Sequence, residues 1–159
     1  MSKRSRRSVP GPVLLVASSG GHLLQLVQLL EAWPSDQRVW VAFDTADARS
    51  LLRGERVWYA HHPTNRSVRN LLRNFVLAVR LVRKVRPRAV VTTGAGVAVP
   101  FCYVGRLFGL RVVYIESMAR ISQPSLTSRL VYPVATSFFV QWPELQARFR
   151  RARYEGQLF

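Results

Sequence analysis

Short, mainly apolar runs alternate along the chain with segments whose apolar residues recur every three or four positions. The runs predict strands over 13–17, 38–43, 56–60, 89–93, 111–116 and 136–141. The periodic segments predict helices over 22–33, 46–52, 67–85, 100–108, 125–131 and 143–149. Strand and helix alternate throughout, which predicts an α/β, Rossmann-like parallel sheet covered by helices on both faces. Pro100 suits the first turn of its helix, and Gly109 suits a C-terminal cap before the next strand.

The first run ends in Ser18-Ser19-Gly20-Gly21-His22, followed by leucines and valines at helical spacing. A buried strand, a tight glycine turn and a helix start leave unpaired N–H groups facing outward, where an anion can be held. The pattern stops short of a dinucleotide fingerprint, which needs a third glycine, and of a P-loop, which needs a following lysine. In such sheets ligands collect at the carboxyl ends of the strands, near the reversal in strand order. The loops that matter are therefore 18–22, 44–45, 61–66, 94–97 and 116–125. They hold the side chains with chemistry to offer: His22, Asp44, His61, His62, Arg66, Glu116, Arg120, Ser122 and Ser125.

The helix over 67–85 carries a second signal. At 100° per residue, Arg69, Arg73, Arg80, Arg83 and Lys84 share one arc with Arg66 just ahead of it. Val68, Leu71, Leu72, Phe75, Ala78, Val79, Val82 and Val85 occupy the opposite side, while Val76 lies among the arginines. This is either a solvated basic face on a core-packed helix or an interfacial surface, with guanidinium groups on lipid phosphates and Val76 and Leu77 dipping among the head groups.

Charge sharpens the choice of partner. The 159 residues hold 24 Lys and Arg against 8 Asp and Glu, a formal charge of +16. Removing residues 1–12, with Lys3, Arg4, Arg6 and Arg7, leaves +12, so the remainder is itself basic. Nucleic acid, an anionic membrane and a phosphorylated substrate all fit such a charge. A basic, flexible tail over 1–12 and one domain over 13–159 are expected, since 48% hydrophobic residues suffice for one substantial core. The tail has no apolar segment of its own, so it does not read as a signal peptide. The longest uncharged run, 89–105, is broken by glycines and Pro100 and is short for a bilayer. The single cysteine, Cys102, reads as a small buried thiol in a reducing compartment.

The strings VASSGGHL, TTGAGVAVPF, VVYIESMARISQPSLTSRLVYPVA and FVQWPEL, in this order and spacing, resemble the acceptor-side subunit of two-component bacterial exopolysaccharide glycosyltransferases. They are similar to the membrane-anchoring subunit of the eukaryotic UDP-N-acetylglucosamine transferase that extends dolichol-diphosphate-linked N-acetylglucosamine. More distantly they look like the N-terminal half of the peptidoglycan transferase that glycosylates an undecaprenyl-linked precursor. The likeness runs from about Val13 to Phe159.

That resemblance implies the N-terminal half of a GT-B glycosyltransferase, which takes a polyprenyl-diphosphate-linked acceptor. The UDP-sugar would bind a second half, and the last residues, Tyr154 to Phe159, resemble the lead into the interdomain linker, so a separate polypeptide would supply it. Ser19, Gly20 and Gly21 would hold the acceptor diphosphate, with Gly94 and Gly96 forming a second glycine turn free of side chains that crowd the phosphate. His22 is the candidate general base, a role that suits an imidazole. Glu116, beside Arg120, would orient the acceptor sugar or the loop. No Asp-x-Asp motif occurs, so neither metal nor cofactor is expected. The expected partners are the UDP-sugar-binding subunit, the lipid-linked acceptor and an anionic membrane surface on its cytoplasmic face, contacted peripherally, with no nucleic acid. A Rossmann-type nucleotide-binding protein, with Asp44 on the ribose, and a basic nucleic-acid-binding protein are the alternatives.

Overall fold

The computed structural model describes residues 11–64 and 66–157. Seven parallel strands form one sheet in the order β3-β2-β1-β4-β5-β6-β7. They are β1 (Val13–Val16), β2 (Arg38–Phe43), β3 (Val57–Ala60), β4 (Ala89–Thr92), β5 (Arg111–Ile115), β6 (Ser137–Phe139) and β7 (Ala152–Arg153). Six helices connect them: α1 (Gly21–Val27), α2 (Ala46–Leu51), α3 (Val68–Val85), α4 (Ala98–Leu107), α5 (Leu126–Val131) and α6 (Pro143–Gln146).

The uniformly apolar strands follow from burial on both faces. In β1, Leu14 and Val16 pack under α3 and α4 with Ala78, Leu81 and Phe101, whereas Val13 and Leu15 pack under α1 and α2 with Leu23, Leu26 and Ala48. The chain lays β1, β2 and β3 outward in one direction, then returns to place β4 on the other side of β1. The loops after β1 and β4 therefore face each other across the reversal, where a crevice opens.

The predicted strands are all found, with trimmed ends, but the helices differ more. The segment 22–33 is α-helical only through Val27, and its remainder tightens into a 3₁₀ turn, Leu30–Ala32, with Trp33 N–H bonded to the Leu30 carbonyl. Pro34 requires an extended Trp33, so the chain leaves the helix there. The segment 143–149 likewise holds only one helical turn before i→i+3 turns at Arg148 and Phe149. Strand β7 was not predicted.

Helix α3 is capped by Ser67, whose Oγ accepts from the Asn70 N–H at 3.3 Å. It ends at Arg86 in the left-handed region (φ 51°), followed by Pro87. Its basic residues are exposed as expected, but its apolar arc is wider than its neighbours cover. Val68 and Leu72, assigned to the core side, are 70% and 60% exposed and adjoin Val76 at 51%. The core side holds Asn74 and Leu81 instead. Of the expected tail over 1–12, residues 1–10 lie outside the described residues. Pro12 is tied down, its carbonyl accepting from the Arg88 N–H at 2.8 Å.

Candidate functional site

A cavity of about 750 Å³ lies at the sheet reversal, bounded by the loops after β1, β4 and β5 together with Phe43 and Thr64. Its wall includes Ser19, His22, Gly96, Arg120 and Ser125, five of the expected site residues, from three loops. Arg120 is exposed, and among the described residues no carboxylate pairs with it.

His22 opens α1 and is fixed from β4. Its Nδ1 lies 2.9 Å from the Thr93 carbonyl, and the Thr93 Oγ donates to the His22 carbonyl at 2.6 Å. A carbonyl only accepts, so in the neutral ring Nδ1 carries the hydrogen and Nε2 is the basic nitrogen. This reciprocal pair joins the two glycine turns, 71 residues apart in sequence. It equips the ring to take a proton at Nε2.

The glycine turns differ from expectation in what they meet. Gly20 has φ 61° and ψ −134°, and its N–H donates to Asp47 Oδ2 at 2.7 Å, so an internal carboxylate already holds part of the turn. The Thr45 side chain, and then that N–H, draw the Asp47 carboxyl below its ordinary value. A Cβ on Gly20 or Gly21 would meet nothing within 4 Å. Space around Gly94 is taken by protein: a Cβ there would lie 3.0 Å from the Tyr114 hydroxyl and 3.3 Å from His22 Cε1. At Gly96 the neighbour is Thr64 Oγ, at 3.0 Å. The absence of side chains at Gly94 and Gly96 is thus explained by packing inside the protein.

Glu116 is fully buried and does not line the cavity. Its Oε1 accepts from the Tyr114 hydroxyl at 3.2 Å and the Ser117 N–H at 3.1 Å. Its Oε2 accepts from the N–H and hydroxyl of Ser125 at 3.3 and 3.2 Å. Ser125 in turn caps α5 by accepting from the Ser128 N–H at 3.0 Å. A carboxylate so occupied has no free lone pair for a substrate proton, which corrects its expected place among catalytic groups. It pins both ends of the loop that carries Arg120. Burial, and then the Glu116 charge, raise the Tyr114 hydroxyl well above its ordinary value, so it stays a donor.

The other loop residues stay apart from the cavity. Asp44 pairs with Arg49 at 2.6 and 2.9 Å and does not line the cavity. His61 is exposed and borders a shallow groove of about 570 Å³ along α3 with Leu72, Val76 and Arg73. His62 packs on the Phe43 ring at 5.2 Å. Ser122 and Arg66 are exposed. Among the described residues, no three His, Cys, Asp or Glu side chains converge on a metal position.

Three residues that matter were not singled out from the sequence. Thr93 and Tyr114 orient His22 and Glu116, and Asn74 grips the loop after β3 through both the N–H and the carbonyl of His61, at 2.8 and 2.9 Å. Only Asn74 left a signal, as a polar residue on the buried side of an amphipathic helix.

A parallel sheet in this order, with a cavity at its reversal, is one Rossmann-like half of the GT-B arrangement found in glycosyltransferases and related epimerases. In fold it matches the N-terminal half of MurG from Acinetobacter baumannii, with a TM-score of 0.71 and 21% identity, over 85% of this chain and 43% of that one. The chain thus spans less than half the length of that structure. In sequence it is 35% identical over 183 residues to the UDP-N-acetylglucosamine transferase subunit ALG14 of Eremothecium gossypii, covering 96% of this chain and 82% of the relative. Identity to the Yarrowia lipolytica subunit of the same name is 27% over 185 residues, 98% of this chain and 84% of the relative. The model of the family "oligosaccharide biosynthesis protein Alg14 like" matches residues 49–158. The chain belongs to this Alg14-like family.

Proposed function

We propose that this chain is the acceptor-binding, membrane-associating subunit of a two-component glycosyltransferase, which moves a sugar from a UDP-sugar to a polyprenyl-diphosphate-linked acceptor in oligosaccharide or polysaccharide synthesis. The observation that carries the reading is the cavity at the sheet reversal, with His22 held through Nδ1 so that Nε2 is its basic nitrogen. In the reaction an acceptor hydroxyl attacks the sugar's anomeric carbon, its proton passes to His22 Nε2, and the bond to UDP breaks with the electron pair leaving on the diphosphate. Arg120 and the N–H groups at the start of α1 face the acceptor's diphosphate, and Glu116 positions the Arg120 loop. The relatives' designation as transferase subunits supports a donor half supplied by another polypeptide.

The exposed face of α3, where Val68, Leu72 and Val76 adjoin Arg69, Arg73 and Arg80, supports peripheral contact with the cytoplasmic side of an anionic membrane. Among the described residues no helix is long and apolar enough to cross a membrane. The test is reconstitution with a UDP-sugar-binding partner of the GT-B C-terminal type. The pair should transfer labelled sugar to a polyprenyl-diphosphate acceptor and the chain alone should not; turnover by the chain alone would sink the two-component reading.

A further inference from the structure

Residues 56–115 hold eleven Arg and Lys and no Asp or Glu, whereas five of the eight acids fall between 31 and 55. The first stretch builds α3 and α4, which cover one face of the sheet; the second lies around α1 and α2 on the other. The α3–α4 face is therefore positive along its whole length. At its far end, away from the site cavity, a second cleft of about 480 Å³ opens between the C-terminal ends of these two helices. Val82, Pro87, Phe108 and Leu110 form its walls, and Arg83 and Arg86 stand on it.

Three features mark this cleft as a binding place. Arg83 lies over the Phe108 ring at 5.9 Å, and among the described residues neither Arg83 nor Arg86 has a carboxylate partner. Arg86 keeps a long side chain at a left-handed position, φ 51°, where glycine is the usual residue. Beside them Leu107 is 83% exposed and Phe108 44% exposed, an apolar tip next to Arg83 and Arg86, with the exposed Arg106 and Arg111 close by in sequence. The dipole of α3 accounts for cations at its last turn, but not for an exposed leucine and phenylalanine next to them.

We propose that this cleft is a site for an anionic membrane lipid, its phosphate on Arg83 and Arg86 and its chain against Val82, Pro87 and Leu110, with Leu107 and Phe108 inserted at the interface. The proposal rests on the membrane reading of α3 and adds a second contact at the C-terminal end of that helix, which is about 27 Å long for its 18 residues.

A fluorescent nitrobenzoxadiazole label on Leu107→Cys reports the contact, because the native Cys102 is fully buried and its thiol is pushed far up by burial. The same label on Ser50→Cys, exposed on α2, is the control. With phosphatidylcholine vesicles containing phosphatidylglycerol, the Leu107→Cys emission should shift to the blue and the Ser50→Cys emission should not. Replacing Arg83 and Arg86 with Ala should weaken partitioning about 30-fold and abolish the shift. Vesicle binding with an unshifted Leu107→Cys label would overturn the site and leave the α3 reading standing. Flotation and shift that survive Arg69, Arg73 and Arg80→Glu would overturn the α3 reading and leave the site. A full chain that binds no vesicles overturns both, and a shift that grows with protein concentration without vesicles overturns the site in favour of self-association.

Discussion

Gly94→Ala tests whether the two glycine turns are held together by packing inside the protein. The substitution places a methyl group 3.0 Å from the Tyr114 hydroxyl and 3.3 Å from His22 Cε1, on a backbone with φ 110°. The backbone strain costs about 1–3 kcal/mol. The forced contact adds about 1–3 kcal/mol, because Tyr114 cannot swing away without leaving Glu116. A loss of about 2–6 kcal/mol is expected, read as a lower denaturation midpoint at constant m. Tyr114→Phe alone should cost about 1.5–3 kcal/mol, the worth of a buried bond to a charged group. In the double variant the methyl group gains room, so the combined loss should fall short of the sum by about 1 kcal/mol. Denaturant unfolding of the four proteins closes the cycle. A Gly94→Ala loss under about 0.5 kcal/mol would refute the packing argument, and strict additivity would assign the whole cost to the backbone.

Two further outcomes test the site. In the reconstituted pair, His22→Ala should lower kcat by about 10² to 10⁴ with little change in acceptor KM, whereas a loss confined to KM would make His22 a diphosphate ligand, and a fully active variant would remove it from the site. The Asp47 carboxyl is drawn below its ordinary value of 3.8 by the Thr45 side chain and then by the Gly20 N–H, so these bonds together contribute stability in full above that value and lose it as pH falls through the lowered one. Asp47→Asn should therefore flatten the acid side of the Tm profile below about pH 4, and identical acid profiles for the two proteins would discard that contribution.

Where the sequence could be read, local pattern met a simple physical demand. The apolar run of β1 has no alternation because Leu14 and Leu15 point into different cores, and such runs are recognisable in isolation. His22, Gly20 and Gly94 stand at strand ends beside turns, where ligand chemistry concentrates in this architecture. Val68 and Leu72 were misplaced because periodicity measures how wide an apolar arc is, while burial depends on the neighbour that covers it. Thr93 and Tyr114 were invisible for a different reason. Their work depends on bonds that only the sheet order creates: Thr93 meets His22 because β4 returns beside β1, and Tyr114 lies beneath Gly94 because β5 pairs with β4. Strand β7, two residues long, is too short to leave any periodic trace.

The direction of α3 connects the two ends of the proposed function. Its N-terminus adjoins the loop that carries Thr64 into the cavity wall, and its C-terminus carries the Arg83 and Arg86 cleft. A lipid-linked diphosphate is confined near the bilayer surface, so the height of the cavity mouth above that surface decides whether the acceptor reaches His22. One contact region in the middle of α3 would leave the helix free to rock about it, whereas a second contact at its far end fixes the tilt. From a pivot in the middle of α3 the lever to the cavity end is about 13 Å, so a change of about 20° moves that end by about 5 Å, comparable to the size of the diphosphate. The far cleft should therefore affect acceptor KM in membranes through geometry, although it touches no reacting atom.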